Sequence, residues 1–342
     1  MKIYIAAFYQ TRKAQAVAGT AFAKAAALAD PAYNLESFHY LDKLRQIPDL
    51  VREDKRKIFL DSGAYSMYTQ GATVDLKAYA RYIYLNRDII ETASNLDAIG
   101  TPGANKKLSE ETAQHSYDNQ KKLESWLKPQ GLAVQPVHHV RDPDHWLQRY
   151  IDEGYDYIFL GGMVPETTPV LMKWLKHVWR NYLTDKDGYP KVKVHGFGLT
   201  TSSLMFEFPW YSVDSTSWVM TSMFGACYVD ATLSDGTKRD FKVDFSSRSK
   251  KQEDDDSWHF ARLQPDQQDS VMQRLEELEA ARVKHPEIEA ALEEATGFKQ
   301  GYNPTALAES YGWRDNLNIG YFRRIQDRAV KTFKDPQIGL LV

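Results

Sequence analysis

The feature that most constrains this chain is a repeated alternation of short apolar runs with stretches of helical spacing. Eight apolar runs of strand length occur between residues 2 and 213, and helix-like stretches separate most of them. Such an alternation over roughly 215 residues is typical of a (β/α)8 barrel. A doubly wound open sheet is the alternative, but the first run leads into Phe8-Tyr9-Gln10-Thr11 rather than a glycine-rich turn. We therefore expect an α/β protein built on a TIM barrel.

The predicted elements follow the chain in a regular order. Strands are expected at residues 2–8, 35–40, 57–61, 94–100, 132–137, 155–160, 191–194 and 210–213. Helices are expected at residues 14–28, 75–86, 109–127, 143–153, 170–182 and 201–206, and again within 266–294 and 302–330. Ser109, followed by Glu110 and Glu111, is expected to cap the helix at 109–127. Asp235-Gly236 lies between two strand-like runs and predicts a hairpin. The chain thus divides into a barrel with a terminal hairpin, residues 1–245, and a helical C-terminal extension, residues 246–342.

Composition limits the partners and the compartment. The formal net charge of the 342 residues is −3, so nucleic-acid binding would need a local basic face. Cys227 is the one cysteine, which excludes an intrachain disulfide and a cysteine-based zinc site. No apolar run approaches the roughly 20 residues that cross a bilayer. We expect a cytoplasmic protein with no membrane partner.

Polar side chains and glycines stand at the ends of the predicted strands. In a parallel barrel the carboxyl ends of all strands form one rim, where active sites lie. The residues expected at this rim are Asp61, Ser62, Asp97, His138, His139, Gly161, Gly162, His195, Gly196 and Asp214. Buried carboxylates are costly unless they are paired or hydrogen-bonded, so a cluster of them needs a reason. The alternatives are structural, because Asp61 can cap a helix, Asp214 can form an ion pair, and the glycines can make turns.

Two carboxylates at one rim can divide the work of a reaction at a glycosidic carbon. One attacks the anomeric carbon and forms a covalent intermediate, while the other moves a proton to or from the leaving or entering group. A third carboxylate, Asp97, can accept hydrogen bonds from the N1–H and amino group of a guanine-like base. A backbone N–H of the Gly161-Gly162 pair can donate to the carbonyl oxygen of that base. The pattern therefore predicts a site for a nucleobase and its sugar.

Several motifs resemble the queuine tRNA-ribosyltransferases, in the same order along residues 57–218. The motifs are Asp61-Ser62-Gly63-Ala64-Tyr65, Asn95-Leu96-Asp97, Leu160-Gly161-Gly162-Met163 and Ser212-Val213-Asp214. The resemblance implies that Asp61 is the general acid/base, that Asp214 is the nucleophile and that Asp97 reads the base.

The motifs are more similar still to the DNA branch of that superfamily, the DpdA-type transglycosylases of phages and bacteria. This similarity extends over Leu60-Asp61-Ser62-Gly63-Ala64, Asn95-Leu96-Asp97, Gly161-Gly162-Met163-Val164, Lys193-Val194-His195-Gly196-Phe197-Gly198 and Tyr211-Ser212-Val213-Asp214-Ser215-Thr216-Ser217-Trp218. It implies exchange of guanine in DNA for a free 7-deazaguanine base such as preQ0, in the bacterial host cell. No cofactor and no metal are expected, and the need for a helper protein stays open.

The chain departs from the tRNA enzymes at two points. Those enzymes carry a cysteine-rich zinc site after the barrel, which one cysteine cannot form. They also have a glutamine after the fifth strand, where this chain has His138-His139. Two alternatives remain: a zinc-less tRNA-guanine transglycosylase, and a barrel that binds a nucleobase or DNA without turnover.

The expected binding residues form two sets. The base-binding set is Ser62, Tyr65, Asp97, His139, Gly161, Gly162, Met163, His195 and Gly196, with Tyr65 stacking on a flipped-out guanine. The basic set, which can contact DNA phosphates, is Lys191, Lys193, Arg248, Lys250 and Lys251. A solvated charged face is an equal alternative for the basic set. If these residues bind DNA, affinity falls steeply with salt.

Overall fold

The protein forms two compact units in a computed structural model. The structure describes residues 1–13, 33–71, 73–100, 106–164, 166–246, 257–282, 284 and 286–332. Within them, one unit contains Met1–Gln10, Tyr33–Ser215 and the chain from Gln326, and the other contains residues 11–13 and Thr216–Ile325. The helix predicted at 14–28 and the candidate DNA contacts Arg248, Lys250 and Lys251 lie outside the described residues.

The first unit is built on eight parallel strands. They are β1 Lys2–Ala6, β2 Tyr33–Ser37, β3 Ile58–Asp61, β4 Ile90–Ala93, β5 Val137–His139, β6 Tyr157–Gly161, β7 Lys193–Gly196 and β8 Ser212–Ser215. Their order in the sheet is β4-β3-β2-β1-β8-β7-β6-β5, and every neighbouring pair is parallel. The edge strands meet where the Gln135 N–H donates to the Ala93 carbonyl (2.9 Å) and the Asn95 N–H donates to the Gln135 carbonyl (2.8 Å). This closed parallel sheet confirms the predicted (β/α)8 fold.

Helices alternate with the strands of the first unit. They are α1 Phe38–Leu41, α2 Ile47–Glu53, α3 Ala64–Gln70, α4 Leu76–Leu85, α5 Lys106–Leu127, α6 Asp144–Asp152, α7 Thr168–Val178 and α8 Ser202–Glu207. Short π-helical turns cover Tyr9–Lys13 and Trp179–Leu183, and a 3₁₀ turn covers Lys128–Gln130. In α4 the side chain of Asp75 caps the helix by accepting from the Lys77 N–H, and Tyr79 and Ile83 bury one face.

Aromatic rings fill the inside of the barrel. Phe59 packs against Phe159 with ring centroids 4.9 Å apart, and Tyr157 packs against Phe159 at 4.8 Å. Tyr4 meets the edge of Phe59 at 5.2 Å. Because these side chains occupy the interior, a ligand has room only at an end of the barrel.

Several strands differ from the predicted bounds, some earlier and some later: the strand predicted at 35–40 lies at Tyr33–Ser37, and the strand predicted at 132–137 lies at Val137–His139. The strands predicted at 191–194 and 210–213 begin and end about two residues later, so that His195, Gly196 and Asp214 lie inside strands. The strand predicted at 94–100 is wrong, because β4 lies earlier, at Ile90–Ala93. Residues 94–96 are buried as they enter the loop, whereas β4 itself is partly exposed. Burial of a segment, here Ser94, Asn95 and Leu96, is therefore not evidence that it forms a strand.

Helix α5 also begins differently from its prediction. It is already helical at Lys106, so Ser109 lies within the helix and is not its N-cap. The predicted capping box is therefore wrong. Acidic residues after a serine are compatible with the first turns of a helix as well as with its start.

The second unit combines a small sheet with helices. Strands β9 Ala226–Thr232 and β10 Lys238–Asp244 form the predicted antiparallel hairpin, and β11 Ser257–His259 runs parallel to β10. This unit also contains a 3₁₀ turn at Phe260–Arg262, helices α9 Ser217–Met223, α10 Pro265–Ala281, α11 Pro286–Thr296 and α12 Pro304–Glu309, and helix α13 Tyr311–Thr332 as far as Ile325. The hairpin, which the sequence pattern groups with residues 1–245, packs in this unit, where Cys227 and Phe241 share a core with Leu275 and Trp313. Among the described residues, no helix has both the length and the apolar character to cross a membrane.

Candidate active site

Three carboxyl groups come together at the carboxyl end of the barrel strands. Asp61 is the last residue of β3, Asp97 follows β4, and Asp214 lies in β8. Burial raises the pKa of Asp61 to about 7, and the charges of Asp97 and Asp214 add to the shift. The three groups therefore share one poorly solvated site, where the charge of each affects the others. At neutral pH a substantial fraction of Asp61 holds a proton.

The turn after β3 holds Asp61 in place. Its Oδ2 accepts a hydrogen bond from the Gly63 N–H at 2.9 Å. Gly63 has φ +82°, and a Cβ there would lie 2.5 Å from Ser37 Oγ and 2.6 Å from His39 Cβ. The turn thus requires glycine, both for its backbone angle and for space. Gly63 is itself the N-cap residue of α3, so Asp61 does not occupy the capping position.

Asp214 is held by one of its two carboxylate oxygens. Oδ1 accepts a hydrogen bond from the Gly198 N–H at 3.0 Å and lies 3.2 Å from His195 Nε2. Oδ2 accepts no hydrogen bond from the residues that the structure describes. One oxygen is therefore fixed, and the other is available to react. Gly198 was not predicted as a site residue, although it ends the motif that contains His195.

His195 lies inside the barrel beneath Asp214. The ring centroids of Phe59 and Phe197 lie 4.6 and 4.7 Å from that of the imidazole, which is fully buried. Burial lowers the pKa of His195, and the hydrogen bond and charge of Asp214 offset this only in part. The imidazole is consequently neutral at physiological pH. It can donate one hydrogen bond and accept one.

His139 forms a second buried group with two carboxylates. Its Nε2 lies 2.8 Å from Asp97 Oδ2, and its Nδ1 lies 3.2 Å from Asp142 Oδ2. Burial alone would lower the pKa of His139, but Asp142 and Asp97 outweigh it and raise the pKa to about 10. The ring is therefore an imidazolium between two carboxylates. Asp142 was missed in the sequence, where its signal was a carboxylate three residues after the histidine pair.

The strand-end glycines make room for the site. A Cβ on Gly161 would lie 2.8 Å from Cδ2 of His139, and one on Gly196 would lie 3.0 Å from the ring of Trp210. These two glycines are buried within β6 and β7, so their absent side chains serve packing. Gly162 is different, because it is exposed and has φ +71°.

The remaining predicted base-binding residues have distinct surroundings. Ser62 Oγ lies 3.4 Å from Asp97 Oδ1, and the Ser62 N–H donates to Ser94 Oγ at 2.9 Å. Tyr65, in the first turn of α3, exposes 48% of its surface. Met163 is buried, with 2% exposed. Of these three, Tyr65 presents a free ring and Ser62 supports Asp97.

Two of the basic candidates are not brought to the site. Lys191 precedes β7 and Lys193 begins it, at the amino end of the strand, whereas Asp214 lies toward the carboxyl end of β8. Because the strands are parallel, these lysines belong to the opposite end of the barrel. The ammonium of Lys193 lies 5.1 Å from the ring centroid of Tyr211. The other three basic candidates are outside the described residues.

No group of three or more His, Cys, Asp or Glu side chains suited to a metal ion occurs among the described residues. No known family model matches the sequence, and no curated protein matches it. Among solved structures, the chain is similar to a mutant tryptophan synthase α-subunit from the hyperthermophile Pyrococcus furiosus, with 13% identity and a TM-score of 0.39. That match covers 64% of this chain and 88% of the other. So weak a likeness says nothing about activity or substrate.

Proposed function

We propose that this protein is a transglycosylase that exchanges guanine in DNA for a 7-deazaguanine base such as preQ0. The observation that carries the proposal is the pair formed by Asp214 and Asp61. Asp214 has one oxygen held by two N–H donors and the other unoccupied by the described residues. Asp61 shares its site and has a pKa of about 7, which suits a group that gives and takes a proton. The nature of the base and of the nucleic acid rests on the motif resemblance.

The reaction needs two displacements at one carbon. Oδ2 of Asp214 attacks C1′ of the deoxyribose, the C1′–N9 bond breaks, and Asp61 gives its proton to the departing guanine. The incoming 7-deazaguanine then gives its N9 proton to Asp61 while N9 displaces the Asp214 carboxylate from C1′. Both carboxyl groups end in their starting states, so the cycle needs neither a redox partner nor water.

The His139 group supports recognition of the base. The His139 ring contacts Oδ2 of Asp97 and holds that carboxylate in place, so that Asp97 can accept from the N1–H and amino group of guanine. The Ser62 hydroxyl is placed to donate to the other oxygen of Asp97. The exposed backbone of Gly162 is available to the base carbonyl. This arrangement favours a base with the guanine edge, which 7-deazaguanines share.

Tyr65 is the proposed stacking residue. A target guanine must leave the helical stack, at a cost of a few kcal/mol in duplex DNA. A half-exposed ring at the rim can recover part of that cost by stacking on the base, on the order of 1–3 kcal/mol. Because the stacking energy is lost with either form of DNA, Tyr65→Ala is expected to raise KM for duplex and for single-stranded DNA by similar factors.

Labelled guanine separates the candidate functions. Purified protein is incubated with radiolabelled guanine and either DNA or tRNA, and label in the polymer is counted. Incorporation into DNA supports the proposal, incorporation into tRNA replaces it with the zinc-less tRNA enzyme, and no incorporation supports a binding protein without turnover.

The assay needs matched carboxylate variants. Asp214→Ala should abolish incorporation and Asp61→Asn should reduce it by about 100-fold or more, the range expected for general acid–base catalysis. Asp187→Ala, at an exposed turn of the same unit, is the control and should match the wild type. Full activity in Asp214→Ala would refute the nucleophile assignment.

A further inference from the structure

A chain of hydrogen bonds runs from the barrel interior to Asp214. Tyr157 Oη lies 2.6 Å from Ser212 Oγ, and Ser212 Oγ lies 2.7 Å from His195 Nδ1. His195 Nε2 lies 3.2 Å from Asp214 Oδ1. Tyr157, Ser212 and His195 are all buried. The chain joins β6, β7 and β8, and it reaches the oxygen of Asp214 that is already held.

The direction of every bond in this chain follows from its two ends. A carboxylate can only accept, so Nε2 of His195 must donate to Asp214. The ring is buried and neutral, so its Nδ1 has no proton and must accept from the Ser212 hydroxyl. That uses the one proton of Ser212, so the Tyr157 hydroxyl must donate to Ser212 Oγ. Each link permits one arrangement of protons.

The surroundings leave His195 little freedom to change this arrangement. Phe59, Phe159 and Phe197 pack around the imidazole with centroid distances of 4.6, 5.2 and 4.7 Å. Tyr4 meets it edge-on at 6.0 Å. Within the described residues, Asp214 is the charged group that contacts the ring. A ring rotated by 180° would turn its carbons toward Asp214 and Ser212 and lose both hydrogen bonds, and the other neutral tautomer would set an unprotonated Nε2 against the carboxylate oxygen, so both alternatives are costly.

Building on the proposed function, we propose that Tyr157, Ser212 and His195 are positioning residues. Ordered donation from Tyr157 through Ser212 and His195 holds Oδ1 of Asp214, so that Oδ2 is the oxygen that attacks the sugar. All three are buried, so none is placed to touch the substrate, and this positioning role replaces the base-binding role predicted for His195. Their contribution is to keep the nucleophile in one orientation, where a displacement of about 1 Å can reduce the rate by about 100-fold.

The first test measures the protons directly and does not depend on activity. In ¹⁵N-histidine-labelled full-length protein, NMR should show His195 with a protonated Nε2 and an unprotonated Nδ1 near neutral pH. The signal is assigned by its loss in His195→Gln. A protonated Nδ1, or a ring protonated at both nitrogens, would overturn the proposal even if base exchange is observed.

The second test uses the exchange reaction. Ser212→Ala should lower kcat by about 10- to 100-fold with KM for DNA and base unchanged, because only the nucleophile is disturbed. Ser212→Thr keeps the hydroxyl and should restore most of the rate. A wild-type kcat in Ser212→Ala, or no rescue by threonine, would overturn the positioning role. If the wild type shows no exchange at all, the proposed function fails, while the NMR result still decides the proton arrangement.

Discussion

At the residue scale, the site depends on the different surroundings of three carboxyl groups at one rim of the barrel. Asp61 is poorly solvated and repelled by its two neighbours, so it holds a proton up to about pH 7. Asp97 has an imidazolium beside it, and Asp214 has two N–H donors on one oxygen. In the proposed reaction, these surroundings would suit Asp61 to carry a proton, Asp97 to read the base and Asp214 to attack the sugar.

The raised pKa of Asp61 has a consequence for stability. The folded protein binds this proton more tightly than the unfolded chain, whose pKa is near 3.8. Stability should therefore fall as the pH rises from about 4 to about 7, by on the order of 1–4 kcal/mol. Asp61→Asn removes this loss, so it should stabilise the protein more at pH 8 than at pH 4 in denaturant titrations. An equal stabilisation by Asp61→Asn at pH 4 and pH 8 would contradict the raised pKa of Asp61.

Asp142 is expected to keep His139 charged. Asp142→Asn removes the carboxylate on Nδ1 and leaves Asp97 on Nε2, so the pKa of His139 should fall from about 10. NMR titration of the His139 ring measures the change, and Asp187→Asn is the distant control. A pKa that stays at its wild-type value would show that Asp142 does not determine the charge.

At the element scale, the sequence predicted the succession of strands and helices but not where each strand ends. The strand predicted at 94–100 falls on a loop whose residues 94–96 are as buried as a strand. The partly exposed β4 gave no apolar run. Asp61, Asp97 and Asp214 were nevertheless predicted, because a rim position tolerates an error of two residues. Asp142 and Gly198 were missed because their roles depend on contacts with other strands.

Two glycines with similar backbones test the turn after β3. Gly63 has φ +82° and close neighbours, whereas Gly71 has φ +64° and open space, with nothing within 4 Å of where a Cβ would stand. Gly71→Ala should lower the free energy of unfolding by about 1–2 kcal/mol, because alanine is strained at this positive φ. Gly63→Ala should cost about 1–3 kcal/mol more because of the clash with His39. If the two variants lose the same free energy of unfolding in urea, the turn after β3 has space for a Cβ at Gly63, which would contradict the structure.

At the scale of the whole molecule, the polarity of a parallel barrel decides which surfaces can serve the site. The carboxyl ends of the strands carry the carboxylates, and the amino end of β7 carries Lys193. The sequence predicted the barrel but not this separation, because a count of basic residues holds no information on strand direction. The sequence likewise could not show to which unit the β9–β10 hairpin belongs, because its apolar residues could pack against a barrel wall or within a second unit equally well.

Salt dependence tests the basic set of candidate DNA contacts. Each phosphate contact adds about 0.9 to the slope of log K against log salt. Lys191→Ala with Lys193→Ala should leave the slope unchanged, because these residues lie at the end of the barrel away from the site. Lys250→Ala with Lys251→Ala should lower it by about 2 if both contact phosphates. Filter-binding titrations with one DNA duplex measure the salt slope of both double variants. A reduced slope for Lys191→Ala with Lys193→Ala would contradict the placement of these lysines at the end of the barrel away from the site.

The most direct measurement of the central claim is the capture of the covalent intermediate. Protein and guanine-containing DNA are mixed without an acceptor base, denatured rapidly, digested and analysed by mass spectrometry. We predict a deoxyribosyl adduct on the peptide that contains Asp214, absent from Asp214→Ala and present in Asp187→Ala. An adduct on another residue, or base exchange that persists in Asp214→Ala, would contradict the account.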